Sequence, residues 1–340
     1  MKKKKVLTIV LASVAAFLAV FFTLLFTVII PFASVDKKMK ADPLPAADKA
    51  ALSAPDKIHF LDTDGSDCII LESDGRIAMV DAAEDADNPR NFPNLVFDGN
   101  EQKILDYLKK NFADENGKVH LDFVLGTHSH SDHIGGFDTI ILDPDVTVGR
   151  AYLKKYDASK IKDHEVNDWD NQEVYDQMVN ALNAKNVPII SDMNDVSFKL
   201  GNFTLTLFNT KDPETSKKVG ENDQSLGVLV EKNDTRVFLA GDMDNLTGDE
   251  ERLAPQIGKV DMLKVGHHSY AGSSTRKFVK TLSPRICVIT NKHDYVDRNT
   301  LARFERICKP EKYLTTDKEN GVLAVIGDNG RIDCYGQIHK

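Results

Sequence analysis

The chain has 340 residues, of which 41% are apolar and 28% charged, and its formal net charge is −9. This length fits one soluble domain of roughly 250–300 residues plus an additional segment. Residues 1–40 carry +6, which leaves −15 on residues 41–340. Such an acidic domain is a poor non-specific binder of nucleic acid, because that binding depends on basic side chains.

The additional segment is at the start of the chain. Residues 2–5 are lysines, and residues 6–30 contain no charged side chain before Pro31 follows. About 20 apolar residues span a bilayer, whereas the apolar region of a cleaved signal peptide has only about 7–15. We therefore predict an uncleaved transmembrane signal anchor over residues 6–32.

The flanking charges predict how the anchor is oriented. The basic tail, residues 1–5, is expected to stay in the cytoplasm, which places the rest of the chain outside it in a single-pass arrangement. Three lysines on the far side weaken this signal: Lys37, Lys38 and Lys40. Residues 33–56 are rich in Ala and Pro after the lysines and predict a linker that lifts a folded domain, residues 57–340, off the membrane.

The sequence of this domain predicts two α/β halves. Alternating apolar residues and turn residues indicate strands and helices along both halves. The first half has strands at Lys57–Leu61, Asp67–Leu71, Arg76–Asp81 and Leu121–Leu125, and helices at Glu101–Phe112 and Asp170–Ala184. The second has strands at Phe203–Phe208, Leu226–Glu231, Val237–Ala240, Met262–Val265 and Ile286–Thr290, and helices at Thr275–Leu282 and Thr300–Cys308. This order predicts two sheets packed face to face with helices outside.

A histidine-rich run follows the strand at Leu121–Leu125. It contains His128, His130, Asp132 and His133, then Ile-Gly-Gly. Imidazole nitrogen and carboxylate oxygen are ligands of Zn²⁺ and similar divalent ions. His128 and His130 alternate on an extended backbone, and a turn after them could direct Asp132 and His133 at a second ion. A polar loop that is His-rich by chance is a much weaker interpretation.

Two further strand ends carry ligand-type residues. Asp242 follows Val237–Ala240 and Gly241, and the pair His267-His268 follows Met262–Val265 and Gly266. Taken alone, Asp242 is more simply a turn residue, and the His pair is an even choice between ligand and structural role. The C-terminal ends of strands are nevertheless where such sheets place their ligands.

Together these residues resemble the metallo-β-lactamase fold hydrolases, which carry His-x-His-x-Asp-His, a bridging Asp after strand-Gly, and a late His. The resemblance covers roughly residues 57–330 and implies an α/β, four-layer αββα sandwich. It implies a binuclear metal site, with Zn²⁺ favoured and Mn²⁺ as the alternative. In it His128 and His130 hold one ion, Asp132, His133 and His268 hold the other, and Asp242 bridges them.

The resemblance also assigns catalytic roles and has one gap. Asp132 orients the attacking water, and His267 faces the substrate as a hydrogen-bond donor or general acid. Most members place another His on the first metal, but here Asn222 or Asp223 stands near that position. Asp67 and Asp81 are expected to be structural residues.

Further stretches narrow the resemblance to the catalytic module of teichoic-acid phosphorylcholine esterase. They are residues 58–84, 152–156, 169–171, 241–245, 257–261 and 282–284, with Asn222 and Ser225-Leu226. A phosphodiester substrate is therefore expected, with Trp169, Tyr156 and Tyr175 as candidates for a cage around a quaternary ammonium group by cation–π attraction. A packing role for Trp169 is equally plausible.

Two alternatives remain open at this point. The extracellular hydrolase module of the DNA-uptake channel protein shares the first motif, Asn-x-x-Ser-Leu, Gly-Asp and His-His-Ser, which implies a nuclease. A non-catalytic metal-binding module is the other alternative. The four cysteines, Cys68, Cys287, Cys308 and Cys334, form no C-x-x-C pair and suggest buried thiols, with one or two disulfides left open.

Overall fold

The computed structural model describes residues 2–86, 98–193, 196–213 and 215–339, and for residues 2–7 and 9 the backbone alone. Within these ranges the strands, in chain order, are β1 (Asp56–Phe60), β2 (Ile69–Ser73), β3 (Arg76–Val80), β4 (Val119–Leu121), β5 (Phe123–Gly126), β6 (Val146–Val148), β7 (Ala151–Leu153), β8 (Ile189–Ile190), β9 (Ser197–Leu200), β10 (Phe203–Phe208), β11 (Gly227–Lys232), β12 (Thr235–Leu239), β13 (Met262–Lys264), β14 (Ile286–Ile289), β15 (Lys312–Thr315), β16 (Val322–Ile326) and β17 (Ile332–Tyr335).

The α-helices of the described residues are α1 (Lys2–Leu24), α2 (Ile30–Met39), α3 (Lys49–Leu52), α4 (Glu101–Phe112), α5 (Ser131–Ile134), α6 (Phe137–Leu142), α7 (Asp163–Asp168), α8 (Asn171–Ala184), α9 (Asp249–Ile257), α10 (Arg276–Leu282), α11 (Arg298–Ile307) and α12 (Thr316–Glu319). A π-helical turn, Leu25–Ile29, joins α1 to α2 without a break.

Two large sheets form the centre of the domain. The first has the order β17-β16-β1-β2-β3-β5-β7-β8 and the second the order β15-β14-β13-β12-β11-β10-β9, while β4 and β6 pair separately. Each sheet is mixed: β12 to β15 are parallel neighbours, whereas β9 to β12 are antiparallel. The inward side chains of both sheets bury one apolar cluster, which includes Phe60, Phe123, Phe203, Val228 and Leu239.

Helices cover the outer face of each sheet. Apolar residues of α4, α6 and α8 bury against the first sheet, and those of α9, α10 and α11 bury against the second. The result is the predicted four-layer αββα sandwich. Helices bury one apolar stripe each, so every layer has an apolar partner on the side that faces the core.

The N-terminal helix agrees in part with the predicted anchor. Val10–Met39 is, among the described residues, the helix long and apolar enough to cross a membrane, with a mean hydropathy of 2.6 over its most apolar window. The start of the predicted linker, residues 33–56, is helical and packed on the domain instead of free. Helix α2 runs to Met39, and Val35 and Met39 are buried against the domain. Residues 30–39 continue the helix because they keep an apolar stripe that the domain covers, which composition alone did not indicate.

The cysteines are all free thiols. Cys68, Cys287 and Cys334 are buried and Cys308 is partly buried. The predicted buried thiols are therefore present, and the open question of disulfides is answered by their absence among these four residues.

The core between the sheets should dominate stability. Phe123 is 1% exposed, and its ring contacts those of Tyr152 and Phe198 at centroid distances of 5.5 and 5.3 Å. We expect Phe123→Ala to lower the free energy of unfolding by about 3–5 kcal/mol, because it leaves a cavity. Denaturant unfolding of the full chain in detergent measures this. Leu142→Ala, at a 48% exposed side chain, is the control, and equal midpoints for the two variants would contradict the assignment of the core.

Candidate metal centre

The histidine run lies where β5 ends and α5 begins. His130 has an extended backbone (φ −90°, ψ 147°) and precedes the first turn of α5, which carries Asp132 and His133. His128, His130 and His133 are 2%, 4% and 0% exposed. The change from extended chain to helix therefore separates the run into two pairs, as the sequence pattern indicates.

Asp242 and the His pair follow two neighbouring parallel strands. Asp242 comes after β12 and Gly241, and His267-His268 come after β13 and Gly266. Gly241 has φ 53°, and a Cβ added there would lie 3.1 Å from Thr127 Cβ, so a larger residue would be strained. The ends of β5, β12 and β13 thus meet at one edge of the two sheets.

Four side chains from these strand ends converge. Asp132, His133, Asp242 and His268 each offer a ligand atom, and these atoms all lie within 4.8 Å of one another. His133 Nε2 lies 3.3 Å from Asp242 Oδ1 and 3.3 Å from His268 Nε2. His268 Nε2 lies 3.5 Å from Asp132 Oδ2 and 3.3 Å from Asp242 Oδ2. Two imidazoles and two carboxylates form a donor set that suits Zn²⁺ or Mn²⁺.

The remaining ring nitrogens show which atoms are available to an ion. His133 Nδ1 lies 2.8 Å from Asp81 Oδ2 and donates to it, and His268 Nδ1 donates to the Thr290 carbonyl at 2.9 Å. Each ring therefore directs its Nε2, the nitrogen available to an ion, at the centre of the group. Metal-binding histidines usually have such a partner on the other nitrogen, so the group fits a bound cation.

His128 and His130 form a second, less complete pair. His128 Nε2 and His130 Nδ1 lie 3.0 Å apart and face the same point. His128 Nδ1 lies near the hydroxyls of Thr127 and Ser225, at 3.1 and 3.2 Å. His130 Nε2 lies 3.6 Å from the buried carboxylate of Glu165. Both rings are thus oriented for one ion.

A third strong donor for this pair is missing from the described residues. The groups of three or more His, Cys, Asp or Glu ligand atoms within 4.8 Å do not include His128 or His130. Asn222, one of the two residues that we predicted near the position of the missing His, lies with its Nδ2 3.3 Å from His267 Nε2. Its Oδ1 is buried without a hydrogen-bond partner among the described residues, so an amide oxygen is still available beside the site.

Asp67 and Asp81 support the ligands from behind. Asp81 binds His133 Nδ1 and also accepts from the Thr127 backbone N–H and hydroxyl, each at 2.8 Å. Asp67 pairs with the buried Lys264 ammonium group and accepts from the Thr290 hydroxyl. Both carboxylates already have strong partners, so we interpret their grouping with His133 as a hydrogen-bond network and not as another ion site.

The electrostatic surroundings favour a positive charge at the centre of the group. Burial lowers the pKa of His133, but Asp242, Asp81 and Asp132 outweigh it and raise that pKa well above its usual value. At His268 burial is likewise outweighed, chiefly by Asp242, and the pKa rises to about 9. The negative potential that favours protons on these rings equally favours a divalent cation between them.

A cavity of about 430 Å³ opens in front of the donors. Its described walls include His130, Asp132, Asp242, His267 and His268, with Thr63, Asp64, Gly65, Ser66, Glu84, Asp98, Asn100, Trp169, Tyr270, Asn291, Lys292 and Tyr295. Five of these side chains are carboxylates and one is a lysine. The acidic character predicted from bulk charge therefore extends into the cavity.

The predicted aromatic cage is only partly assembled. Trp169 lines the cavity and its ring contacts that of His130 at a centroid distance of 4.7 Å. The rings of Tyr156 and Tyr175 contact each other at a centroid distance of 6.2 Å. Neither residue is among those that line the cavity. Tyr175 lies within α8 and Tyr156 follows β7, whereas Trp169 lies between α7 and α8.

Sequence reasoning missed the aromatic residues on the opposite wall. Tyr270 and Tyr295 line the cavity. Tyr270 comes two residues after His268, which is a signal that could have been used. Tyr295 follows β14 in a short 3₁₀ turn, and only the rule that the ends of parallel strands share one edge pointed to it.

Residues 99–270 match the family described as the beta-lactamase superfamily domain. The chain belongs to this superfamily, with the metallo-β-lactamase fold and the ligand-type cluster of its metal-dependent hydrolases. It is 27% identical over 218 residues to ComE operon protein 3 of Bacillus subtilis, a match that covers 62% of this chain and 25% of that protein. The chain thus spans a quarter of the length of this curated relative.

The solved structures that this chain resembles have low sequence identity to it. The metallo-β-lactamase fold protein YhfI of Bacillus subtilis is 14% identical, with a TM-score of 0.45, covering 77% of this chain and 96% of that one. Zn²⁺-bound PqqB of Methylobacterium extorquens is 14% identical, with a TM-score of 0.41, covering 73% and 84%.

The hydrogen bond from His133 to Asp81 should matter for metal affinity. We expect Asp81→Asn to weaken Zn²⁺ binding by about 10- to 100-fold, because the amide no longer fixes the tautomer and orientation of His133. Competition with a chromogenic chelator measures this on the full chain. Asp122→Asn is the control, since Asp122 is a buried carboxylate at the other end of β5 that binds Arg76. An equal loss in both variants would contradict the assigned role of Asp81.

Proposed function

We propose that this protein is a membrane-anchored, extracytoplasmic, metal-dependent phosphodiesterase. The observation that carries the proposal is the convergence of Asp132, His133, Asp242 and His268 at the inner end of a cavity. Two divalent ions, Zn²⁺ or Mn²⁺, would be held by this group and by the pair His128 and His130. When bound, such ions lower the pKa of water and stabilise negative charge on a phosphate.

The protein side chains would divide the work as follows. Asp242 would serve both ions, and its two oxygens lie 3.3 Å from His133 Nε2 and 3.3 Å from His268 Nε2. Of the two donor carboxylates, Asp132 is the one more open to the cavity, since its side chain is 18% exposed against 2% for Asp242. It would orient the attacking water, and the His267 ring, which lines the cavity beside it, would help to position the phosphate.

His267 would act on the substrate and not on the ions. Its side chain is 28% exposed, and its Nε2 lies 3.9 Å from Asp242 Oδ2. Nδ1 of His267 has no hydrogen-bond partner among the described residues. A ring that lines the cavity beside the donors can donate a hydrogen bond or a proton to the phosphate or its leaving oxygen.

The cavity walls favour a substrate with a cationic part. Carboxylates outnumber the single lysine among the described walls, and Lys292 itself lies 3.3 Å from Asp64. Trp169, Tyr270 and Tyr295 add aromatic faces, which bind quaternary ammonium groups. A phosphorylcholine-type ester, such as those on teichoic acid, combines such a group with a phosphodiester, and this supports a substrate in the cell envelope.

A nuclease is the second candidate. The residues shared with the DNA-uptake hydrolase module surround the metal centre: Asn222 lies by His267, and Ser225 Oγ contacts His128 and accepts from the Asp242 N–H at 3.2 Å. The same site could cleave nucleic acid. The acidic walls argue against it, because a polyanion would have to approach them without compensating basic residues.

The location rests on the N-terminal helix. Its length and composition suit a membrane span, and residues 2–5 favour a cytoplasmic start. Protease treatment of intact cells tests the orientation: residues 57–340 should be digested from outside, and full protection of the domain would contradict this location.

A substrate panel tests the function. The full chain in detergent, loaded with Zn²⁺ or Mn²⁺, is assayed against p-nitrophenyl phosphorylcholine, bis-p-nitrophenyl phosphate and single-stranded DNA. We expect ester turnover that a chelator abolishes and the metal restores, and Asp132→Ala should reduce it by at least about 10³-fold, since the oriented water is lost. DNA cleavage without ester turnover would favour the nuclease. Metal binding without any turnover would favour a non-catalytic module.

The two adjacent histidines should behave differently. We expect His267→Gln to lower kcat by about 10²–10⁴-fold while the bound metal content stays the same, because a proton donor is lost and no ligand is. His268→Gln should lower the metal content itself. Elemental analysis of the purified variants, alongside the kinetics, separates the two roles. Loss of metal from both variants would show that both rings are ligands.

A further inference from the structure

The helix that carries the proposed membrane span runs without interruption to the domain. The turn Leu25–Ile29 keeps helical backbone angles at both ends, and α2 ends at Met39 with Lys40 as its C-cap. No loop separates the apolar part from the part that contacts the domain. Any direction that the helix takes in a bilayer is therefore passed on to the domain.

One face of α2 packs on the domain. Pro31, Val35 and Met39 are spaced four residues apart, and all three are buried. Val35 and Met39 belong to the apolar cluster of the second sheet, with Phe304 and Tyr313. This spacing places the three side chains in one stripe along the helix, so the contact is continuous over two turns.

Polar contacts fix the same face. Ser34 Oγ donates to Glu305 Oε2 at 2.9 Å, and Lys38 pairs with the other oxygen of Glu305. Glu305 is 5% exposed, so these contacts are shielded from water. Helix α2 can therefore neither rotate nor slide freely on α11.

The end of α2 is joined to the cavity through α12. Lys318 Nζ donates to the Met39 carbonyl at 2.7 Å. The preceding residue of α12, Asp317, accepts from the His293 backbone N–H through its carboxylate at 3.1 Å. His293 begins the turn that carries Tyr295, and Tyr295 lines the cavity. The anchor and a wall of the cavity are thus both bound to one short helix.

Some exposed apolar side chains line the cavity or follow its donor residues closely in the chain. Beyond the anchor helix, the large apolar residues exposed in the described part of the chain are Leu52, Leu142, Leu246, Tyr270 and Tyr295. Tyr270 and Tyr295 line the cavity, and Leu246 follows Asp242 by four residues. We term Leu246, Tyr270 and Tyr295 the apolar rim. Tyr side chains with an exposed ring are typical of the membrane–water interface.

We propose that the docked helix α2 holds the apolar rim, and with it the cavity, against the lipid headgroups of the membrane in which the chain is anchored. The site would then act on phosphodiesters carried at that membrane surface. The ten residues of α2 rise only about 15 Å, which limits how far Met39 stands from the end of the span. A domain charge of −15 would be repelled by anionic lipids, so the rim needs the docked anchor to stay there.

This inference rests on the membrane insertion in the proposed function, and the single tryptophan of the chain tests it. Trp169 lines the cavity, so energy transfer from Trp169 to dansyl-labelled lipid headgroups reports the distance of the cavity from the bilayer surface. The full chain is reconstituted in phosphatidylcholine–phosphatidylglycerol vesicles, and flotation confirms insertion.

The variants separate docking from anchoring. Val35→Gln with Met39→Gln removes the buried stripe, and transfer efficiency should fall at least roughly two-fold, because residues 33–56 then act as the flexible spacer. Asp36→Gln with Lys37→Gln changes exposed residues of the same helix and should leave transfer unchanged. Leu246→Ser with Tyr295→Ser alters exposed side chains alone and should also lower the transfer efficiency. Circular dichroism checks that each variant is folded.

The outcomes are distinct. Equal transfer in the wild type, the undocked variant and the rim variant overturns this inference while the proposed anchor stands. A chain that does not float with the vesicles overturns the anchor, and this inference with it. Ester turnover in solution is a separate measurement and bears on the proposed chemistry alone.

Discussion

The buried ammonium group of Lys264 joins the two sheets directly behind the candidate metal centre. Its Nζ pairs with Asp67, which precedes β2 of the first sheet, and donates to the Gly241 carbonyl of the second sheet at 2.9 Å. Asp242 Oδ1 lies 3.5 Å away. An unpaired charge in this position would cost several kcal/mol, so Lys264 and Asp67 each require the other.

This pairing explains how ligands from separate sheets meet. His133 follows a strand of the first sheet, whereas Asp242 and His268 follow strands of the second. Their ligand atoms lie within 4.8 Å of one another only if the sheets keep one relative position. The apolar core between the sheets is not directional, so the buried ion pair and its hydrogen bonds supply the specific alignment.

Local patterns predicted the elements that local physics determines. The helix Glu101–Phe112 and the strand Phe203–Phe208 have the predicted bounds at both ends, because each has a clear apolar period between turn residues. Strands β15 to β17 were not predicted. Residues of β16 pair with β1, more than 260 positions earlier in the chain, and no local pattern carries such a pairing. Helix α9 contains Pro255, which the sequence rules treat as a helix breaker.

The candidate site shows the same difference between what local sequence patterns predict and what only the fold determines. Its ligand-type residues lie in short segments after strands, so the chemistry of the side chains and their spacing were enough to select them. The cavity walls come from parts of the chain that only the fold brings together. Thus Tyr156 and Tyr175, close to Trp169 in sequence, lie elsewhere, and Tyr270 and Tyr295 take their place. The docking of Val35 and Met39 likewise depends on a partner, α11, that is far away in sequence.

The backbone at the His pair bears on how the site uses two adjacent rings. His267, His268 and Ser269 have φ of 49°, 47° and 68°, a left-handed conformation that costs of order 1–3 kcal/mol for a residue other than glycine. Hydrogen bonds hold this turn: Asn291 Nδ2 donates to the His268 carbonyl at 3.0 Å.

An ordinary strand end would place neighbouring side chains on opposite faces of the sheet. Here the strained turn brings both rings to the same edge with centroids 6.4 Å apart. His268 faces the buried donor group and His267 faces the cavity beside Asn222. Such strain persists when its surroundings enforce it, and a bound cation on His268 would enforce it further. The conformation thus lets two consecutive residues take the two roles proposed for them, one toward the metal and one toward the substrate.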